Sequence, residues 1–204
     1  AGHIMAAATT CGKPDIACSP FLCFHVSGGT TELVYATLSD KNGFDVKIVG
    51  GTADISAGQL IDRTGVLLGL KFPCGGELEK LAEKVGKQKV KISANGALCN
   101  YSGAENNTVK MLRDGKSAAE TARYALDFCS ASLISSVRAA RKDYGNIPVL
   151  FAGGVMRDMI IRHELENELE NIFFGSVELS SDNAVGTAWL GKKVLERSGR
   201  WNVR

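Results

Sequence analysis

Histidine and proline are scarce in this 204-residue chain, three of one and four of the other. The shortage of histidine has chemical weight. His3 lies in "AGHIM", which reads as a cloning remnant ahead of an initiating Met5 and is set aside; His25 and His163 then remain, with no paired spacing. Two such residues make no histidine-rich metal site. They also supply neither an H-E-x-x-H run nor a Ser-His-Asp arrangement, which disfavours peptidase chemistry, since that needs a metal-activated water or a nucleophile beside a base. The six cysteines, Cys11, Cys18, Cys23, Cys74, Cys99 and Cys129, show no C-x-x-C spacing. Scattered among apolar residues, they read as buried free thiols in a reducing setting. No apolar run approaches membrane length and no signal peptide is apparent, so a soluble, cytoplasmic protein without a membrane partner is expected. Charge of one sign is missing too. The net charge is +2 and the basic residues are spread along the chain, which does not by itself imply nucleic acid.

What is present is alternation followed by periodicity. Residues 21–26 and 32–38 read as strands, Asn42-Gly43 is a hairpin signal, and residues 44–49 supply a third strand. From Ser56 to Leu70 the pattern turns helical, broken by the "FPCGG" loop before a second helix in "ELEKLAEKV". Residues 87–116 are less legible, with a short β-like "KVKIS" and a stretch whose second half is compatible with helix. The longest helix starts at Ser117, three residues before Glu120, a capping box. Ala118, Ala122, Ala125, Cys129, Leu133 and Val137 make its buried stripe. "IPVLFAGGVMRDMIIRHELENELE" reads as strand, Gly-Gly turn and helix, and a strand near residues 176–179 followed by a helix capped by Ser181 or Asp182 repeats that order. Strands first, then two β-turn-α units, give an α/β domain with a mixed sheet. No internal boundary or repeat is visible. Residues 1–19 are expected to be a remnant and flexible lead-in, and 20–204 a single lobe.

Three small-residue loops stand out: residues 27–31, 73–76 and 153–154. The "SGGTT" tip between two strands has two readings, a tight turn needing positive φ or a cradle of backbone N–H groups and hydroxyls around a phosphate. The residues alone leave both open.

The order of these loops is more specific. "PFLCFHVSGGTTELVY", "GGTADISAGQLIDRTGVLLGLKFPCGGELEKLAEK", "NYSGAENN", "VLFAGGVMRD" and "SSDNAVGTAWLG" together resemble the C-terminal lobe of the tRNA threonylcarbamoyladenosine transferase family, formerly labelled O-sialoglycoprotein endopeptidase or glycoprotease. The resemblance runs from about Pro20 to Arg197. It implies one lobe of the actin and sugar-kinase-like ATPase fold, a mixed sheet flanked by helices, handling ATP or a threonylcarbamoyl-adenylate. On that resemblance Ser27, Gly28, Gly29 and Thr30 contact phosphate, Asp62 stands beside the nucleotide, and Gly75 and Glu79 fall on the loop and the ribose-binding glutamate. Gly153 and Gly154 match the adenosine-binding glycines, Asp158 replaces an asparagine set against adenine, and Asp182 matches an aspartate on the catalytic metal. Read from the residues alone, Asp182 is instead a helix cap.

Departures from the family pattern shape the expectation. An ionised Asp158 has no amide hydrogen to donate. Glu105 stands where a basic residue is usual, and Ile55 and Gln59 replace two carboxylates. Nothing in the chain corresponds to the preceding lobe with the family's paired metal-binding histidines. Iron or zinc belongs to full-length relatives and none is expected here, and no catalytic residue is expected in this chain alone. The resulting expectation is a nucleotide-binding lobe, inactive by itself, that works with the missing N-terminal lobe or a paralogous protein and meets tRNA only in the complete enzyme. The alternatives are a non-catalytic paralogue acting as a dimerising partner and, disfavoured, the old peptidase label. A homodimer is expected because an uncovered interlobe face leaves apolar groups in water.

Overall fold

A computed structural model describes residues 2–13, 15–39, 43–176 and 184–197. β1 (Phe21–Val26), β2 (Thr31–Ser39) and β3 (Gly43–Thr52) form the opening meander. Then come α2 (Ala57–Leu67), α3 (Gly75–Ala82), the short pair β4 (Ser93–Asn95) and β5 (Leu98–Asn100), α4 (Ser102–Arg113) and the long α5 (Ala118–Tyr144). β6 (Val149–Ala152), α6 (Met159–Glu168), β7 (Ile172–Phe174) and α7 (Ala184–Arg197) complete the order, and α1 (Gly2–Thr10) precedes it all.

The seven strands among the described residues make one mixed sheet in the order β4-β5-β3-β2-β1-β6-β7. β1, β2 and β3 are antiparallel neighbours, whereas β3 with β5, β1 with β6 and β6 with β7 are parallel. It follows that β1, β3, β5, β6 and β7 all point the same way, and the loops that leave them emerge at one carboxyl end of the sheet. That is where open α/β sheets bind ligands.

Helices cover both faces. Leu22, Phe24, Val26, Val149 and Phe151 face α2 to α6, with the fully buried Ala122, Ala125, Cys129, Leu133 and Val137 of α5 against them. Ala118, the first residue of the expected stripe, is exposed at the helix start. Phe21, Cys23, Leu150 and Ala152 face the other way, onto Ile4, Met5, Ala7 and Ala8 of α1. Being sandwiched explains why β1 and β6 read as nearly continuous apolar runs.

The N-terminal segment departs from the sequence reading. Gly2–Thr10 is a packed helix, not a loose lead-in. Its alanines allow close approach: a Cβ on Gly175 would press on Ala7, and one on Gly186 of α7 would run into the Gly2 carbonyl. Three smaller differences lie downstream. Residues 89–92 form no strand, and the ladder starts only at Ser93. α4 takes up the whole of Ser102–Arg113. Ile172–Phe174 forms a strand that the sequence reading did not indicate, because a three-residue run is too short to show a period; the strand expected near residues 176–179 lies, from residue 177 on, outside the described residues, as does the Asn42 turn.

Candidate nucleotide site at the carboxyl end of the sheet

Ser27 closes the tip after β1 on itself. Its amide donates to the Thr30 carbonyl at 2.8 Å and its Oγ accepts the Thr30 amide at 3.1 Å. Neither Gly28 nor Gly29 has positive φ, so the turn does not need glycine for its backbone angles. Their use is spatial. Open space surrounds the Cβ position of both, and Gly58 of α2 packs directly on Ser27 and Gly28. The Ser56 hydroxyl donates to the Gly28 carbonyl at 2.8 Å, and the Ala57 amide donates to Thr31 Oγ1 at 2.9 Å. The tip is therefore bolted to the start of α2 while its glycines stay bare.

The carboxylates of the site act first as braces. Asp62 Oδ1 accepts the Cys74 amide at 2.8 Å, fixing the loop that leads to Gly75 and Gly76 at the start of α3. Glu79, one turn along, accepts the Met159 amide at 2.6 Å and so ties α3 to the start of α6. Gly153 takes φ 103°, and a Cβ there would strike the Val26 carbonyl; only glycine lets the end of β6 lie this close to the end of β1. Gly154 is open to its surroundings. Asp158 caps α6, its Oδ1 accepting the Ile161 amide at 2.9 Å. Its Oδ2 is buried without a partner among the described residues. Burial pushes this carboxyl up to about 7, the Ile161 and Ile160 amides and Arg123 pull it down, and Glu79 pushes it up.

Ser27, Gly28, Gly29 and Thr30 thus fall on the tip after β1, Asp62 within α2, Gly75 and Glu79 on α3, and Gly153, Gly154 and Asp158 between β6 and α6; hydrogen bonds join the tip to the start of α2, α2 to the loop before α3, and α3 to the start of α6. Asp182 lies outside the described residues. Glu105 pairs with Arg63 at 2.9 Å, so its charge is answered by the residue beside Asp62. Gln59 completes a capping box with Ser56.

Sequence reasoning missed Asp54. Its carboxylate accepts the Tyr101 and Ser102 amides at 2.8 and 3.0 Å and the Ser102 hydroxyl at 2.6 Å, stapling α4 to the end of β3. Burial opposes ionisation, but bonds from Ser102, Tyr101 and Thr52 hold the carboxyl below the usual range. An Asp in the turn before a capping box was the available signal. His3 was missed as well: its ring lies 4.7 Å from that of His25, and the Nδ1 of each is buried without a partner. Burial and His3 lower His25 to about 4, so its imidazole is neutral at pH 7. Cys23, Cys74, Cys99 and Cys129 are buried free thiols, with burial pushing Cys23 up to about 12 and Cys99 to about 11.

The comparisons with known proteins agree with this architecture. The sequence profile of tRNA N6-adenosine threonylcarbamoyltransferase (TsaD) matches residues 1–189. The chain belongs to this family. The Kosmotoga olearia tRNA N6-adenosine threonylcarbamoyltransferase is 32% identical over 96% of this chain and 60% of its own length. The protein of that name from a Sulfurihydrogenibium species is 30% identical over 88% and 55%. The chain therefore spans little more than half the length of these relatives. Among solved structures, full-length HypF in its phosphate- and nucleotide-bound form superposes with a TM-score of 0.75 at 12% identity, over 98% of this chain and 36% of that one. The activator of 2-hydroxyisocaproyl-CoA dehydratase from Clostridium difficile, with bound ADPNP, gives 0.59 at 16%, over 99% and 69%. These two show the shared ATPase-like fold.

Proposed function

We propose that the carboxyl end of the sheet holds an adenine nucleotide, ATP or a threonylcarbamoyl-adenylate, and that the chain is the nucleotide-handling lobe of a tRNA threonylcarbamoyltransferase. The observation that carries the proposal is the bracing of three loops into one surface by Ser56, Asp62 and Glu79. In this reading the Ser27, Gly28, Gly29 and Thr30 turn takes phosphate, because bare glycines leave backbone and hydroxyl donors accessible. Glu79 meets the ribose hydroxyls with the carboxylate oxygen that does not brace α6. Gly153 and Gly154 offer adenosine a flat backbone, and Asp158 lies beside the base. Asp62 acts through the loop it fixes, with Gly75 on that loop.

Transfer to the N6 amine of a tRNA adenosine belongs to the assembled enzyme, in which a preceding lobe or a paralogous protein completes the cleft, in the cytoplasm. Iron or zinc is the metal the family implies, with Asp182 as its carboxylate. Among the described residues no group of three His, Cys, Asp or Glu converges. His3 and His25 offer two imidazoles, one donor short of the three that hold a catalytic zinc. This donor set does not fit a catalytic metal. Among the described residues no helix is long and apolar enough to cross a membrane.

A second reading, a non-catalytic paralogue acting as a partner, is favoured by the Arg63–Glu105 pair, which leaves neither charge free for phosphate. Calorimetric titration of ATP with magnesium into the full chain separates the two. Micromolar to millimolar binding that weakens about tenfold in Glu79→Gln supports the nucleotide lobe, since the amide oxygen still accepts Met159 but loses the charge-assisted bond to ribose. No heat of binding from the unaltered chain refutes it and favours the partner reading.

A further inference from the structure

β3 runs from Gly43 to Thr52, yet β5 pairs with it only at Gly51 and Thr52. Residues 44–48 are paired with β2 on one side, and no described strand pairs with them on the other. Among the described backbone bonds, those beyond the β2 side begin at Gly51, whose amide donates to the Ala97 carbonyl at 2.9 Å. Residues 45–48 are exposed, with Val46 at 50% and Ile48 at 63%. An open strand of this kind is a template for another strand.

Its register with β2 sorts the side chains. Phe44, Val46 and Ile48 stand opposite Leu38, Ala36 and Val34 on one face, and Asp45 and Lys47 stand opposite Thr37 and Tyr35 on the other. Neither Asp45 nor Lys47 has an ion-pair partner among the described residues. The sequence F-D-V-K-I is self-complementary about its centre.

We propose that this edge is a two-fold contact between copies of the chain, an antiparallel pairing centred on Val46. In that register Asp45 lies opposite the partner's Lys47 and Lys47 opposite the partner's Asp45, while Val46 meets the partner's Val46 and Ile48 stands opposite the partner's Phe44, a residue buried in its own core. Neighbouring registers fail. A slip of one residue sets the apolar face of one copy against the charged face of the other. The next symmetric registers, centred on Asp45 or on Lys47, oppose like charges, which is destabilising. Only the Val46-centred pairing satisfies both faces, and it extends the sheet across the two copies. This contact is independent of the nucleotide reading.

Sedimentation equilibrium of the full chain tests it, with Asp45→Lys, Lys47→Asp and the two combined. The unaltered chain should self-associate. Each single reversal should weaken association roughly tenfold or more, since two symmetric pairs turn from attraction to repulsion. The double reversal is again self-complementary and should restore the dimer, which also shows that the singly altered chains failed through charge and not through folding. Ile48→Gln, on the apolar face, should weaken association without any change in charge. A monomer at high protein concentration, single variants that associate like the unaltered chain, or a double variant that stays monomeric would each overturn the proposal.

Discussion

Replacing Asp158 by asparagine probes the most unusual group in the site. The residue is 7% exposed, one oxygen caps α6, and the other is buried without a partner. Its carboxyl rises from 3.8 to about 7, chiefly through burial. About three units correspond to roughly 4 kcal/mol. Below about pH 4 the folded and unfolded chains both hold the proton and the stability is fully present. As the pH climbs the unfolded chain ionises first, and stability is lost until the folded group titrates near 7. Asparagine keeps an acceptor for the Ile161 amide and caps about as well as aspartate. Its amide takes the unpartnered place of Oδ2, at a cost of about 1–3 kcal/mol. Asp158→Asn should therefore be about 1–3 kcal/mol more stable than the unaltered chain at pH 8, and neutral or less stable near pH 4.5. Urea unfolding at the two pH values reads this directly; for a chain of 204 residues each kcal/mol also moves Tm by about 2–4 °C. A variant with the same pH dependence as the unaltered chain, or one destabilised at pH 8, would show that Asp158 is not held protonated by its surroundings.

Two further substitutions test the frame around the site. Gly153→Ala places a Cβ against the Val26 carbonyl at a φ of 103°, and a loss of about 2–4 kcal/mol is expected in thermal or urea unfolding; a loss below about 0.5 kcal/mol would mean that the loop moves freely off β1. Asp54→Ala removes the acceptor for the Tyr101 and Ser102 amides and should lower stability by about 1–3 kcal/mol. The unaltered chain should lose that contribution in acid, as the pH falls through the lowered Asp54 value, while Asp54→Ala should show no such step.

Local pattern was legible wherever the chain satisfies itself locally. β1 appears at the residues that alternation and apolar content indicate. The Ser117 cap is present as a capping box, because it needs only residues three apart; Ser56, where the helical pattern begins, makes the same box with Gln59. The family resemblance carried the three loops, and the family match bears it out. α1 was illegible for a physical reason: a nine-residue run rich in alanine has little amphipathic pattern, and it is helical because Gly175, Gly186 and the outer face of the sheet receive it. β4 and β5 are likewise short, and β5, which carries β4, is tied to β3 far back in the chain.

By itself the sequence determined the α/β class, the capped helices, the three small-residue loops and the family to which they belong. Only the tertiary structure decided what those loops do to one another. Parallel pairing of β1 with β6 sends the 27–31 and 153–154 loops to one end of the sheet, and the 73–76 loop joins them through Asp62 and Glu79, which accept the Cys74 and Met159 amides. It also decided that Gly28 and Gly29 are there for open space and not for backbone angle, and that Asp158 is buried deeply enough to hold its proton near neutral pH. A residue's type sets which hydrogen bonds and charges it can offer, but burial and the nearest partner set which of them it keeps, and both are properties of contacts far apart in the chain.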